Sequence, residues 1–562
     1  MSSSQVDVMV VGAGPVGLST ALQLGRAGIR TLVVERHTGL AHHPKAIGMH
    51  ARTMELFRQL GIADELREVA LPPERTLGIA WLTRMNGTEL GTLLLAEDAE
   101  KLAEFAASPE TPLFAPQDRV EPVLYAAAVD SPRVKPRMGT TVTEMVQGSD
   151  VVEVTLVARD GRTETVYADY VVAADGARSR IRDSHGFGEV ASEPFGESVN
   201  VYFRADLDEV VAGRPYLLWW IVNRDVRGTF WPTTDDGRWI FNFEGDTSKP
   251  DEYFDEALCA SLIRAASGIA DLEIELLSVL RWRHEQAVAD RWRVGRILLV
   301  GDAAHRFPPH GGFGMNSGIQ DCANLAWKLA AVVRGQAGEE LLDTYEAERK
   351  PVAEYNAEQV ALNTKRMQET GWLMGDRSIL DAIELPEGEA ARRAIAEAIP
   401  KQREQFWSRG QQFGRIYRRG AVVADATAPV ESSVGVYRPT THPGARLPHL
   451  WLTYALSDSR LSTVDLLGSG FVLLTRGGPA IGWRRAAECV ASELDVPIAV
   501  HDLGAGSDLR PVDPGDLARL EIEPDGALLV RPDSHVGFRA ATLPADPVAE
   551  LRAALATILC HV

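Results

Sequence analysis

Residues 6–11 form an almost unbroken run of valines and methionine. A glycine-rich turn follows, then apolar positions at helical spacing over 16–27 and a second apolar run over 31–35. A strand, a tight turn, a helix and another strand make a βαβ unit, the opening of a parallel sheet. Strand and helix signals continue to an apolar run at 167–173. From 189 to 283 the period shortens to alternation, with the turn signal "TTDDGRW" between two aromatic runs. The αβ pattern returns with a strand at 296–300 and a helix after Met315, and 341–417 is charge-rich and mostly helical. The loop "YRPTTHPGARLPHL" reads as a linker, and 464–561 alternates strands and helices again. The pattern predicts an α/β chain in four segments: a nucleotide-binding unit over 1–188, a mostly antiparallel sheet over 189–290, a return to the first unit over 291–430, and a small separate α/β domain over 431–562.

After Met315, residues Ile319, Cys322, Ala323, Ala326, Leu329 and Ala330 share one helical face. Ser317 and Gln320 have the spacing of a capping box, which sets the predicted start of this helix beside the glycines of "PPHGGFGMN".

Composition narrows the function classes. A 45% hydrophobic, 24% charged chain of 562 residues can bury several cores without metal or disulfide staples. Its net charge of −20 disfavours a nucleic-acid partner, which needs a basic face. The four cysteines, Cys259, Cys322, Cys489 and Cys560, form no CxxC pair, so neither a zinc ribbon nor a dithiol site is expected. No basic leader precedes the first strand and no apolar run is long enough to span a membrane. A soluble cytoplasmic protein is expected.

In "VGAGPVGLS", Gly12, Gly14 and Gly17 have the GxGxxG spacing. Gly12 permits the turn, Gly14 lets the backbone approach a pyrophosphate, and Gly17 allows close helix–strand packing. The helix N-terminus offers free N–H groups to the phosphates. Glu35, at the end of the second strand, is placed to bind the ribose hydroxyls. An acid there disfavours a 2′-phosphate, so the dinucleotide is NAD or FAD rather than NADP.

Two further segments carry a family likeness: "YVVAADGARSRIR" and "RILLVGDAAHRFPPHGGFGMNSGIQDCANLAWKLA". With the GxGxxG they resemble the three motifs of the class A flavoprotein monooxygenases, which include the p-hydroxybenzoate and phenol hydroxylases. "HPKAIGMHARTMELFRQLGI", "APQDRVEPVLYAAA" and "DGALLVRPDSHVGFRA" extend the resemblance over most of the chain. It implies a Rossmann-type FAD-binding domain, an inserted β-sheet substrate domain and a C-terminal thioredoxin-like domain. It implies FAD as cofactor, with Gly12, Gly14, Pro15, Val16, Gly17, Glu35 and Arg36 around its ADP half. Arg52 and Gln117 match positions at the phosphates and the ribityl or ribose portion, and Val142 lies beside the adenine. Asp175 belongs to the second motif, tied to pyrophosphate and NAD(P)H use. Gly301 and Asp302 would meet a ribityl or ribose hydroxyl. Pro309 and the backbone of Gly312, Gly314, Met315 and Asn316 would face the isoalloxazine. Lys45 stands where many relatives have arginine; it keeps the charge but loses the planar fork.

The resemblance further implies NAD(P)H as a transient reductant, O₂ as co-substrate and a flavin C4a-hydroperoxide as oxidant. The protein's task is then to hold the ring and exclude water. The aromatic-rich sheet, with Trp220, Trp231 and Phe241 as candidate contacts, points to a flat apolar substrate such as a phenol or polycyclic polyketide. His310, in the loop bordering the flavin, is the candidate catalytic base. Ring expansion or epoxidation by the same fold, and a flavin-binding accessory protein that does not oxygenate, are the competing readings. The C-terminal domain, having no CxxC, is expected to serve packing, lid support or dimer formation.

Overall fold

The computed structural model describes every residue except 1–3, 95–105, 192–195, 373–377, 455–458, 478–480, 505–506 and 562. The first strand, Ser4–Val11, pairs in parallel with Thr31–Val34 on one side and Thr163–Ala173 on the other. Ile297–Leu299 joins in parallel beyond Thr163–Ala173, and Val134–Arg137 joins beyond Thr31–Val34. A parallel sheet needs cover on both faces. Here the helices Pro15–Arg26 and Phe313–Val333 supply part of it, sharing one apolar core with the strands. The 167–173 run is the inner half of a longer strand, whose outer half pairs with the hairpin Thr140–Gln147/Val152–Ala158.

The second sheet has seven strands, in the order Glu275–Arg283, Glu197–Arg204, Arg238–Glu244, Arg227–Pro232, Tyr216–Val222, Gly78–Leu82 and Glu89–Leu94. It is therefore not confined to 189–290. Gly78–Leu82 runs parallel to Tyr216–Val222, and Glu89–Leu94 follows antiparallel to it. The run "GIAWL" is buried at every position, so it has to lie inside a sheet covered on both faces. One face of this sheet carries Val199, Val201, Phe203, Trp219, Phe230, Trp239, Phe241 and Phe243. They pack beneath Cys259, Ile263 and Ala266 of the helix Glu256–Ser267.

The C-terminal unit is a mixed sheet in the order Ile498–Asp502, Phe471–Thr475, Ala527–Val530, Val536–Ala540, with helices Ile481–Leu494 and Pro547–Ile558. It is not a bead on a linker. Phe471, Trp483 and Leu555 share a core with Trp327 and Ala331 of the helix Phe313–Val333. Residues 443–450, expected as a linker, are almost wholly buried, and Arg446 there pairs with Glu55 of the first unit. A second buried cluster links the units. Glu348, on the helix Asp343–Gln368, accepts from Lys328, Asn324 and Arg531, and Arg531 also binds Asp533. No helix among the described residues is long and apolar enough to cross a membrane.

Candidate functional site

Three strand ends meet at one edge of the parallel sheet: Val11 pairs with Ala173, and Ala173 with Leu299. The glycine turn, the Asp175 loop and the Gly301–Asp302 turn are therefore neighbours. This is the carboxyl edge of the strands, where open α/β sheets bind ligands.

The glycines of the turn have different duties. Gly12 has φ +110°, and a Cβ there would strike the Ala174 carbonyl; a Cβ at Gly17 would strike the carbonyl of Gly12. Both are needed for packing. Gly14 has ordinary extended angles (φ −72°, ψ 178°), and a Cβ there would meet no atom within 4 Å. It faces open space, at the head of a helix whose first amides have no side-chain cap. Pro15 opens that helix. The Val16 side chain fills the gap left by Gly301 and Gly318, where a Cβ at Gly301 would lie 2.9 Å from Val16 Cγ1. Glu35 accepts from Ala13 N at 2.9 Å and from His37 N at 2.9 Å, so its carboxylate ties the turn to the next loop. Arg36 is exposed beside it.

Asp175 and Asp302 line the same cleft. One carboxylate oxygen of Asp175 is buried with no partner, and desolvation raises its pKa. Asp302 is accessible to solvent, yet its pKa is also raised by desolvation. Exposed area combined with dense surroundings describes the wall of a deep cleft. Lys45, exposed across that cleft, is close enough for its charge to act on Asp302.

The helix after the third motif begins at Phe313, one turn earlier than the capping-box spacing predicts. Its N-cap is Gly312, left-handed at φ +71° and without a side-chain cap. Ser317 lies inside the helix, where its hydroxyl accepts from Asn356 Nδ2 at 3.0 Å. The six predicted face residues, Ile319 through Ala330, are all buried. Gly314 opens on the cleft, its nearest neighbour for a Cβ being Asp302 Oδ1 at 3.9 Å. Met315 is half-buried and Pro309 exposed along this rim. Asn316 points the other way. Its Nδ2 donates to the carbonyls of Gly48 (3.0 Å) and Gly312 (2.7 Å), and its Oδ1 accepts from His50 N (2.8 Å) and Thr53 Oγ1 (2.6 Å). The side chain is spent clamping 48–53 to the helix start, leaving only its backbone for a ligand.

Other candidates also act through their neighbours. Arg52 donates to Glu55 at 2.7 Å and to the Asp533 carbonyl at 2.9 Å. Gln117 donates to Glu121 at 2.6 Å and accepts from Ala46 N. Val142 is half-buried on the hairpin strand Thr140–Gln147. Asp321, not anticipated, is the buried hub beneath the third motif. It accepts from His305 Nε2 (2.7 Å), Arg349 Nε (2.8 Å) and Gly301 N (3.3 Å). A lone carboxylate between Ile319 and Cys322 on an apolar helix was the available signal.

On the sheet, Phe241 is removed from the candidate contacts. It is stacked on Phe230 (ring centroids 4.2 Å apart) on the face beneath the helix Glu256–Ser267. Trp220 and Trp231 lie on the opposite face, Trp231 clustered with Tyr202, Ile240 and Ile47. At the Trp231 end that face looks toward 43–50 and the loop at 309–312, since His43 meets Ser278 Oγ at 2.7 Å and His284 lies near His310. At the other end Trp220 is covered by Trp372 and Met367 and is removed from the candidate contacts as well. His310 is buried, its Nδ1 held by Thr364 Oγ1 at 2.9 Å, and burial lowers its pKa to about 3. A base of that strength is poorly matched to a phenol at neutral pH.

Burial also lowers His43, His50 and His284 to about 4. Unfolded histidines protonate near 6.5, so between about pH 6.5 and 4 the unfolded chain binds more protons than the native one. Stability from these groups is complete above pH 6.5 and is lost as pH falls through this window. Urea unfolding at pH 7.5, 6 and 5 is expected to show a falling midpoint; an unchanged midpoint contradicts the buried neutral imidazoles.

The cleft suits FAD. Two uncapped helix N-termini, an opening at Gly14 and again at Gly314, and two desolvated carboxylates match a pyrophosphate, an anionic ring edge and sugar hydroxyls. The comparisons agree. Residues 5–360 match the FAD binding domain family, and 440–561 match the aromatic-ring hydroxylase C-terminal family. The chain is 36% identical over 588 residues to tetracenomycin A2 monooxygenase-dioxygenase of Streptomyces glaucescens, covering 100% of this chain and 98% of that one. The flavin-dependent monooxygenase PieE, solved in complex with FAD and substrate, superposes with a TM-score of 0.91 at 34% identity, over 99% of both chains. Aklavinone-11 hydroxylase, solved with FAD and aklavinone, gives 0.84 at 33% identity, over 100% of both. Fold, cleft and relatives place this chain among the class A FAD-dependent aromatic hydroxylases, as a flavoprotein monooxygenase.

Proposed function

We propose that the chain is an NAD(P)H-dependent monooxygenase that hydroxylates a flat phenolic substrate of polycyclic, polyketide-like shape. The observation carrying this reading is the inner face of the seven-stranded sheet, where Trp231, Tyr202 and Ile240 cluster with Ile47 of the 43–50 segment, whereas Trp220 is packed in a separate core against Trp372 and Met367. Apolar aromatic surface in a buried site favours a planar apolar ligand. Solved relatives that hold aklavinone or another substrate with FAD support the substrate class.

Bound FAD, reduced by NAD(P)H, would activate O₂. The balance would be one oxygen atom inserted into a ring C–H bond and the other released as water, with NAD(P)H and one proton consumed and NAD(P)⁺ formed. The protein's own residues supply position and electrostatics. The free amides of Pro15–Arg26 and Phe313–Val333 would hold negative charge without a basic side chain. Asp302 and Lys45 would bracket the sugar chain, and Asn316 keeps the second helix start in place. The buried sheet face excludes water, which keeps oxygen transfer coupled to substrate.

Purified holoprotein should oxidise NADH or NADPH slowly alone and faster, by tenfold or more, when a hydroxylated polycyclic aromatic is added. Nucleotide oxidation indifferent to every phenol and polycyclic tested would overturn the proposal.

A further inference from the structure

The inner face of the seven-stranded sheet is not uniformly apolar. Register puts Thr229 opposite Asn242, and Asn242 opposite Asn200, so three polar side chains form one rung across three neighbouring strands. The rung continues outward through apolar residues, Trp220 and Trp81 at one end and Leu280 at the other. All three polar residues are buried (Thr229 1%, Asn200 5%, Asn242 7% exposed). Yet Thr229 Oγ1, Asn200 Oδ1 and Asn242 Oδ1 have no hydrogen-bond partner. Three adjacent unsatisfied groups form an exception that packing alone does not explain, because buried polar atoms almost always find a partner.

The neighbouring rungs sharpen the pattern. On one side Trp231, Ile240 and Tyr202 stand in line and are apolar. On the other, Arg227 is committed to Glu244 and to the Gly371 carbonyl, and Ser198 is bonded to His284. The polar rung thus separates a hydrophobic strip from the Arg227–Glu244 ion pair. Strands lie about 4.8 Å apart, so the three groups repeat at a spacing comparable to the width of one six-membered ring with oxygens on opposite sides. An asparagine amide and a threonine hydroxyl each donate and accept. They suit neutral hydroxyl and carbonyl oxygens, and a substrate carboxylate would meet an Arg227 whose charge is already paired with Glu244.

We infer that Thr229, Asn242 and Asn200 form a hydrogen-bonding row that selects aromatic substrates bearing two or more neutral ring oxygens, such as hydroxyquinones, over aromatics with one. The inference rests on the proposed docking of a flat aromatic against this face. The row holds oxygens while the strip of Trp231 and Ile240 covers the apolar ring beside them.

The test uses oxidised holoprotein without reductant and follows the flavin difference spectrum on titration with 1,8-dihydroxyanthraquinone or with 2-naphthol. Asn242→Leu, Asn200→Leu and Thr229→Val keep the number and branching of side-chain heavy atoms and remove groups without partners, so flavin content and melting temperature are expected to hold. Each substitution should weaken the dihydroxyanthraquinone by tenfold or more and change 2-naphthol by less than twofold. Equal effects on both ligands, or no effect on either, would overturn the row while leaving the aromatic site intact. If wild-type protein binds neither ligand, the docking reading itself fails and takes the row with it. Thr229→Val alone, the smallest change, decides the matter should an asparagine variant prove unstable.

Discussion

Gly14→Val is expected to give a folded protein that has lost its flavin. The residue has extended backbone angles that any amino acid adopts, and its missing Cβ faces open space, so the polypeptide itself accepts a side chain. What the side chain fills is the approach to the helix amides, where the pyrophosphate of a dinucleotide rests. FAD affinity should fall at least about 100-fold, about 2.7 kcal/mol, while the urea midpoint of the flavin-free protein stays within error of wild type. Gly17→Val is the contrasting case: its Cβ would collide with the Gly12 carbonyl, so the turn and the fold around it fail together. Flavin fluorescence titration and urea unfolding of both variants check the pair. Retention of stoichiometric flavin by Gly14→Val contradicts the assignment of this turn.

The second large effect lies away from the cofactor. Arg531 is fully buried between Glu348 and Asp533, donating to both Glu348 oxygens at 2.8 Å and lying against the rings of Trp327 and Tyr417. Arg531→Met would leave the carboxylates of Glu348 and Asp533 short of a counter-charge in the core between the C-terminal unit and the flavin domain. Breaking such a pair costs about 3–5 kcal/mol. The loss should propagate to the flavin, because the Asp533 carbonyl also holds Arg52. Adding Glu348→Gln to Arg531→Met should recover a large part of it, the two sites being in direct contact and far from additive. Denaturant unfolding with flavin release as a second probe measures this; a cost under about 1 kcal/mol contradicts the cluster's role. It also gives the C-terminal unit a physical function, as one side of the core that fixes Arg52 and, through Arg446 and Glu55, the helix Ala51–Leu60.

The nucleotide edge was legible because its constraints are local. A turn that needs positive φ at Gly12, close packing at Gly17 and open space at Gly14 writes itself into a few consecutive positions. The sheet was half legible. Alternation put Trp239, Phe241 and Phe243 on one face, but both faces of this sheet are buried, so period alone could not say which one packs toward Ile47 and the 43–50 segment. Ser317 and Gln320 misled because a capping-box spacing also occurs inside helices, and Gly312 in a left-handed conformation starts the helix without a side-chain cap. The place of Gly78–Leu82 in the second sheet and the buried Arg446 were hidden for a different reason: the strand Tyr216–Val222 and Glu55 that they meet lie more than a hundred residues away. The motif placed the Asn316 backbone at the cofactor but carried no sign of its side chain's duty, four hydrogen bonds that tie 48–53 to the helix start.

Turnover of a hydroxylated polycyclic aromatic under isotopically labelled O₂, read by mass spectrometry and NMR of the product, bears most directly on the central claim. One labelled oxygen attached to a ring carbon is expected, with ring size unchanged and NAD(P)H consumed in equal amount. Label recovered only in hydrogen peroxide or water, or inserted into the ring to enlarge it, would contradict it.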